Sequence, residues 1–356
     1  MLGKSDSGAI TVETATQALP GRLFRNVQHK RKIKQLEGEL AKIEEGLLEQ
    51  TRFSSPVADA AARYLAEAGG KRIRPLLTVL VSELGNGPDD RVRQVAQAIE
   101  LTHLASLYHD DVMDAAVLRR GVKTAHLNWS NSVAILAGDL LFARASSLVT
   151  DLGEEAIKLQ AATFERLCLG QLHETVGPAE GDNELEFYLQ VLADKTGALI
   201  ACAARMGALV SGAPREYLDP LTEYGEAIGL AFQLIDDVID LSPAKQDTGK
   251  RAGTDLRAGV VTLPLLLLRD KARSDAQAAD LLQRIDAGVQ AVAEGADPGV
   301  MDAVVEELHA HSVTQATAER AREIAAQAIS ALDILPDGVV KSGLTELAQT
   351  IVNREG

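Results

Sequence analysis

From Arg31 onward, apolar residues recur three and four apart, a period that only packed amphipathic helices can bury. The segment from Arg31 to Gln50 is the plainest case. Ile33, Leu36, Leu40, Ile43 and Leu47 make one stripe on an otherwise charged stretch. A helix start is expected at Ser54-Ser55-Pro56, where Pro fits the first turn, with its end near Gly69-Gly70. Further helices are expected over 75–84, 90–117, 133–152, 155–176, 184–209, 214–241 and 263–271, with about three more after Asp275. Breaks fall at Gly85-Asn86-Gly87-Pro88, Gly177-Pro178, Gly181-Asp182-Asn183, Ser211-Gly212-Ala213-Pro214 and Leu335-Pro336-Asp337-Gly338. No alternating strand followed by a hairpin turn is found. The fold class is therefore all-α, a single domain over residues 26–356 behind a tail, residues 1–25, expected to be disordered. Aromatic residues are 3% of the chain against 46% hydrophobic, so aliphatic side chains and Ala must fill the core. That composition favours helices over sandwiches, whose strands lean on aromatic and β-branched residues.

Lys and Arg number 36 against 51 Asp and Glu, a formal charge of −15. Such a balance argues against nucleic acid as a partner, which calls for a basic footprint. Cys168 and Cys202 alone cannot build a disulfide framework or a four-thiolate zinc site, and a cytoplasmic setting is expected. The polar N-terminus has no apolar core of signal-peptide length. Nor is there a run of about 18 uncharged apolar residues, so no transmembrane segment is expected.

Two acidic clusters carry the chemistry. Asp110-Asp111-Val112-Met113-Asp114 and Asp236-Asp237-Val238-Ile239-Asp240 share the pattern Asp-Asp-x-x-Asp within apolar helical surroundings, 126 positions apart (236 − 110). Residues i and i+4 share a helix face about 6 Å apart along the axis, so the carboxylates repel one another unless a cation sits among them. All-oxygen ligands suit a hard ion such as Mg²⁺, which commonly recruits substrate phosphates to complete its octahedron. Cations complete the set. Lys71, Arg72 and Arg74 follow a double glycine and precede a helix, a setting that can gather N–H groups and side chains on an anion. Arg119-Arg120-Gly121 follows the first cluster, and Lys195-Thr196 and Gly249-Lys250 lie further on. His103 stands seven residues before Asp110, two turns up the same helix face.

Over about residues 50–355 the chain resembles the trans-isoprenyl diphosphate synthases, the polyprenyl synthetases. The resemblance rests on Gly69 to Pro75, the Asp110 cluster with Arg119-Arg120-Gly121, Gly138-Asp139, Gly170-Gln171 and Lys195-Thr196. It continues in Phe232-Gln233 with the Asp236 cluster, Gly249-Lys250, and Asp255 with Thr262-Leu263-Pro264. The stretch Asp255 to Gly259 is most like the actinobacterial menaquinone-type enzymes.

The resemblance implies an isoprenoid-synthase-type helical bundle around a deep central cavity, the clusters facing across its mouth, and usually a homodimer. It implies head-to-tail condensation of isopentenyl diphosphate with an allylic diphosphate, with three Mg²⁺ per active site. Asp110, Asp114 and Asp236 would be direct ligands, and Asp111, Asp237 and Asp240 would act through water or hold the others. Arg119, Lys195, Thr196, Gln233 and Lys250 would meet the allylic diphosphate. Lys71, Arg74, His103 and Arg120 would hold isopentenyl diphosphate. A peripheral membrane contact for product release is compatible with it. Val260 stands where many relatives carry Lys, which leaves the allylic site one cation short unless Arg257 or the Lys250 loop compensates.

Product length is read from the residues eight, five and four positions before Asp110. Thr102, Ala105 and Ser106 are all small, where short-product relatives carry bulky aromatics, so a long all-trans product of about six or more isoprene units is expected. A short-chain farnesyl or geranylgeranyl synthase is the alternative, with Phe142 or Phe164 as the block. Two other classes are weighed. A class I terpene cyclase would lack the second Asp cluster. A di-iron bundle would use Glu100-x-x-His103 and Glu306-x-x-His309, and would leave both Asp clusters unexplained.

Overall fold

The computed structural model describes residues 30–243 and 251–354, and almost all of their regular structure is helical. The chain forms two units. Among the described residues, the first takes 30–161 together with 202–218 and 337–343, and the second takes 162–201, 219–243, 251–336 and 344–354. The helices run α1 (Lys30–Gln50), α2 (Pro56–Glu67), α3 (Ile73–Ser82), α4 (Asp90–Met113), α5 (Ala125–Asn128), α6 (Asn131–Val149) and α7 (Glu154–Val176). After these come α8 (Glu184–Leu192), α9 (Ala198–Val210), α10 (Leu218–Asp240), α11 (Thr254–Arg257) and α12 (Leu263–Ala272). The last are α13 (Ala276–Ala293), α14 (Asp302–Ala310), α15 (Ser312–Ala331) and α16 (Val339–Val352).

In the first unit, α1 and α3 pack on α4, and α4 lies along α6. The stripe on α1 is buried at Leu36, Leu40, Ile43 and Leu47, as its period requires. Asp89 caps α4 by accepting the Val92 N–H at 2.9 Å. Gly138 lets α4 and α6 approach: a Cβ there would collide with the His109 ring and stand 3.2 Å from the Ala105 carbonyl oxygen. Helix α6, extended to Leu152, has the length and composition to cross a membrane, which the sequence reading did not expect. It carries Asp139 and Arg144 and packs along α4. In the second unit, α12 packs against α13 and α15 over Leu265, Leu268, Leu281 and Ile285. Gly225 and Gly229 bring α10 against the backbone at Ala201 and Gly197, where a side chain would not fit.

The largest departures from the expected helices lie after the first acidic cluster and within the 184–209 stretch. Helix α4 stops at Met113, not 117. The Ala116 N–H bonds the Asp111 carbonyl at 3.0 Å, and Ala115 takes φ 49°, so a Schellman-type turn closes the helix with Ala where Gly is usual. A hairpin follows, β1 (Leu118–Arg119) and β2 (Val122–Lys123), with Arg119 opposite Val122. Its two-residue loop, Arg120 (φ 53°) and Gly121 (φ 79°), has the positive dihedrals of a type I′ turn. Strands of two residues are too short to show alternation. Finally, the helix expected over 184–209 is interrupted by a π-turn, Ala193–Gly197.

Candidate active site

Each Asp cluster sits at the C-terminal end of its helix, α4 or α10, where the last carbonyls already carry partial negative charge. Carboxylates there raise the local demand for a cation beyond what their mutual repulsion creates. In the first unit, Asp110 is half-buried and Asp114 exposed. Asp111 is buried and accepts Arg119 Nε at 2.7 Å, yet its Oδ2 is buried with no hydrogen-bond partner. Burial raises the Asp111 pKa against the opposing pull of Arg119.

The cations of the 69–75 loop divide. Lys71 is exposed. Arg72 turns inward, forks onto Glu44 at 2.6 and 2.7 Å and meets Glu100 at 2.8 Å, so it belongs to the protein's internal charge balance. Arg74 Nε is buried without a hydrogen-bond partner, and desolvation lowers its pKa. Arg120 donates to the carbonyls of Leu65, at 2.9 Å, and Gly69, and burial brings its pKa to about 10. Burial, with the guanidiniums of Arg74, Arg120, Arg72 and Arg119, pushes His103 well below the ordinary imidazole range. These groups form a cationic site suited to an anion. On α4, Thr102 and Ala105 are buried and Ser106 is half-buried. Thr102 and Ser106 hydroxyls donate back to the Ala98 and His103 carbonyls at 2.9 and 2.8 Å. The Phe142 ring stands 5.6 Å from that of His109, edge to face, and Phe164 is exposed.

In the second unit, Asp237 is buried and accepts the Tyr188 hydroxyl and, at 3.2 Å, the Leu263 N–H. Burial outweighs those bonds and pushes its pKa up to about 7. Asp240 accepts the Thr254 and Asp255 N–H groups, both at 3.1 Å, and so anchors the start of α11. Asp255 is raised to about 6 by burial and by Asp240, Glu174 and Asp236. Asp236 pairs with Arg354 at 2.9 Å, and that guanidinium stacks 4.7 Å over Phe232. Gln233 is half-buried on the same helix. The π-turn carries Lys195, paired with Glu174, and half-buried Thr196. Its shape is held through Asp194, which accepts Arg166 Nε at 2.7 Å and Gln190 Nε2 at 2.8 Å. Such bulges are frequent at functional positions. Lys250 lies outside the described residues. Val260 is exposed, and Arg257 does not replace the missing cation, because it is bound to the Ala252 and Pro298 carbonyls and to Asp302 at 2.7 Å.

Among the described residues, no three His, Cys, Asp or Glu side chains gather into a ready metal cage. The all-carboxylate donor set, with the Asp111 Oδ2 orphaned in the interior, nonetheless fits Mg²⁺. That ion keeps several waters and needs only one or two carboxylates beside substrate phosphates. The di-iron reading loses its support: Glu100 is taken by Arg72 at 2.8 Å, Glu306 is exposed, and His309 lies 3.4 Å from the Ser242 hydroxyl. His311 is half-buried and caps α15, its Nδ1 accepting the Val313 N–H at 3.3 Å. Sequence reasoning missed Tyr188, Glu174, Glu44 and Arg354, which reach the site only through tertiary contacts that no spacing announces.

The sequence matches the Polyprenyl synthetase family over residues 55–296. It is 41% identical over 325 residues to the nonaprenyl diphosphate synthase of Mycobacterium tuberculosis, covering 89% of this chain and 92% of that one. It is 35% identical to heptaprenyl diphosphate synthase component 2 of Geobacillus stearothermophilus, covering 90% and 97%. The fold superposes with a TM-score of 0.82 on a polyprenyl synthase from Caulobacter crescentus complexed with calcium and isoprenyl diphosphate, at 32% identity and covering 95% and 98%. With these likenesses spanning most of its length, the chain belongs to the polyprenyl synthetase family.

Proposed function

We propose that this protein condenses isopentenyl diphosphate head-to-tail with an allylic diphosphate to make a long all-trans polyprenyl diphosphate, of about six or more units given its small residues before Asp110. The observation that carries this reading is the doubled acidic cluster, each copy at a helix C-terminus, in a chain that also holds Arg74, whose buried Nε has no hydrogen-bond partner. Support for length comes from the nonaprenyl and heptaprenyl names of the relatives. A role in making menaquinone side chains and a cytoplasmic setting belong to the same reading.

In the reaction, the allylic C–O bond breaks and the diphosphate leaves with the electron pair. The isopentenyl double bond then forms the new C–C bond, and a proton is lost from the adjacent carbon. Mg²⁺, three ions in this reading, would be held by Asp110, Asp114 and Asp236 and would neutralise the leaving diphosphate. Asp111, Asp237 and Asp240 orient that set through the bonds they already make to Arg119, Tyr188 and the 254–255 backbone. Lys195, Thr196, Gln233, Arg119 and Lys250 meet the allylic diphosphate. Lys71, Arg74, Arg120 and neutral His103 grip isopentenyl diphosphate, which stays intact until its double bond attacks. A homodimer is part of the proposal, supported by the apolar side chains that α6 and α7 leave exposed, Leu136, Ile135, Ile157 and Leu172 among them.

Incubation with Mg²⁺, labelled isopentenyl diphosphate and each of several allylic primers, followed by chromatography of the dephosphorylated products, tests the reading. Chains of six or more units support it. Products of three or four units make it a short-chain synthase, and a cyclic hydrocarbon formed without isopentenyl diphosphate consumption removes it.

A further inference from the structure

Two separate segments of the proposed isopentenyl diphosphate site are tied to one interior carboxylate. Glu100 on α4 has a side chain 3% exposed, accepts Arg72 Nη1 at 2.8 Å, and lies 3.9 Å from Arg120 Nη2. Arg72 is equally enclosed, and Glu44 on α1 receives the other side of its guanidinium at 2.6 and 2.7 Å. Arg72 and Arg120 share a second peculiarity. Their φ angles are 50° and 53°, a left-handed region that L-residues avoid, and among the described residues only Ala115 shares it without being glycine. Such backbone persists only where its surroundings over-determine it, and here the tether is each residue's own guanidinium. Gly70 lies between the two, since a Cβ on it would stand 3.0 Å from both Arg72 Nη1 and Arg120 Cζ.

The arrangement separates two jobs. Arg72 is satisfied by protein carboxylates and the Ala66 carbonyl, whereas Lys71 and Arg74 flank it within the same loop. A rotation of residue 72 out of the left-handed region would redirect both neighbours. Glu100 also offsets the repulsion that would otherwise push Arg74 and Arg120 apart, as each feels its charge.

We propose that Glu100 is a positioning residue which, through Arg72 and Arg120, locks the 69–75 loop and the 120–121 turn into a single pocket for isopentenyl diphosphate without touching it. This rests on the reading that Lys71, Arg74 and Arg120 bind that substrate. Glu100→Gln keeps the shape and removes the charge. It should raise the KM for isopentenyl diphosphate about tenfold or more, leaving kcat and the allylic KM within about twofold, because uniform binding is lost and not transition-state contact. The calorimetric Kd for isopentenyl diphosphate alone should weaken in parallel. Arg72→Gln should act alike, and the double variant should raise KM by less than the product of the singles, the signature of one coupled unit. Glu44→Gln, nearer the surface, loosens only the Arg72 fork and should give a smaller rise, so it keeps the test open if Glu100→Gln does not fold. Lys71→Ala serves as the reference. If Lys71→Ala raises the isopentenyl KM while the Glu100 and Glu44 variants lose only thermal stability, the positioning role is overturned and the site stands. If Lys71→Ala leaves that KM unchanged as well, the assignment of the pocket fails and the positioning role falls with it.

Discussion

Asp111 and Asp237 hold corresponding places in the two clusters and have the same fate. Each is buried and bound by a protein donor, Arg119 or Tyr188, while the aspartate just before it is less enclosed. On the proposed reading, the inner aspartates would set the geometry of the outer ones, which would hold the metal. Asp110→Ala or Asp236→Ala should lower turnover by two orders of magnitude or more, about 2.7 kcal/mol in barrier, with the circular dichroism spectrum intact. Near-normal steady-state rates at limiting Mg²⁺ would remove these residues from the metal site. His103 gives a prediction in acid. Its folded-state pKa lies below the free value of 6.5, so below that pH the unfolded chain takes up a proton that the folded one refuses. Stability from this group is complete above pH 6.5 and declines as the pH falls, by up to about 1.4 kcal/mol per pH unit. Urea midpoints at pH 7.5 and 5.5 should therefore fall less for His103→Gln than for wild type, and equal losses would show that His103 charges freely.

At the scale of elements, several of the proposed site residues lie where helices depart from regularity. The π-turn presents Lys195 and Thr196, the Schellman-type stop at Ala115 places Asp114 on the last turn of α4, and the type I′ loop carries Arg120. The long periodic stretches were legible in the sequence because burial of one face imposes the period, and α1 follows it closely at Leu36, Leu40, Ile43 and Leu47. The irregular stops were not, since Ala115 and Arg120 occupy positive-φ positions with no glycine to announce them. Helix α4 also bears on product length. Ser106 is half-buried and shares a face with Asp110 one turn on, whereas Ala105 is packed fully under α6 near Gly138. Ser106→Phe should thus shorten the product by at least one isoprene unit, read by chromatography of the dephosphorylated chains. An unaltered chain-length profile from a folded, active variant would mean the tail does not pass Ser106.

For the molecule as a whole, the exposed apolar side chains of α6 and α7 are the feature a lone chain leaves unaccounted for. Leu136, 59% exposed, should lie within the proposed dimer contact. Leu136→Glu should shift the protein from dimer to monomer in sedimentation velocity, and a dimer that persists unchanged at micromolar concentration would place the contact elsewhere. What the sequence determined by itself was the class of structure and the inventory of its chemistry. Helical period and scarce aromatics leave packed helices as the economical way to bury this chain, and two Asp-Asp-x-x-Asp clusters call for cations wherever they fold, because like charges one turn apart repel. What only the tertiary structure decided was which charges remain for a ligand. Arg72 and Arg74 are two residues apart in one loop, yet Arg72 is consumed by Glu44 and Glu100 while Arg74 keeps a buried, unpartnered Nε. Their spacing is the same in any fold. Their roles differ because carboxylates 28 residues to either side of Arg72 meet in space at its guanidinium, and the cost of leaving a buried charge unpaired fixes which cation is spent on the structure.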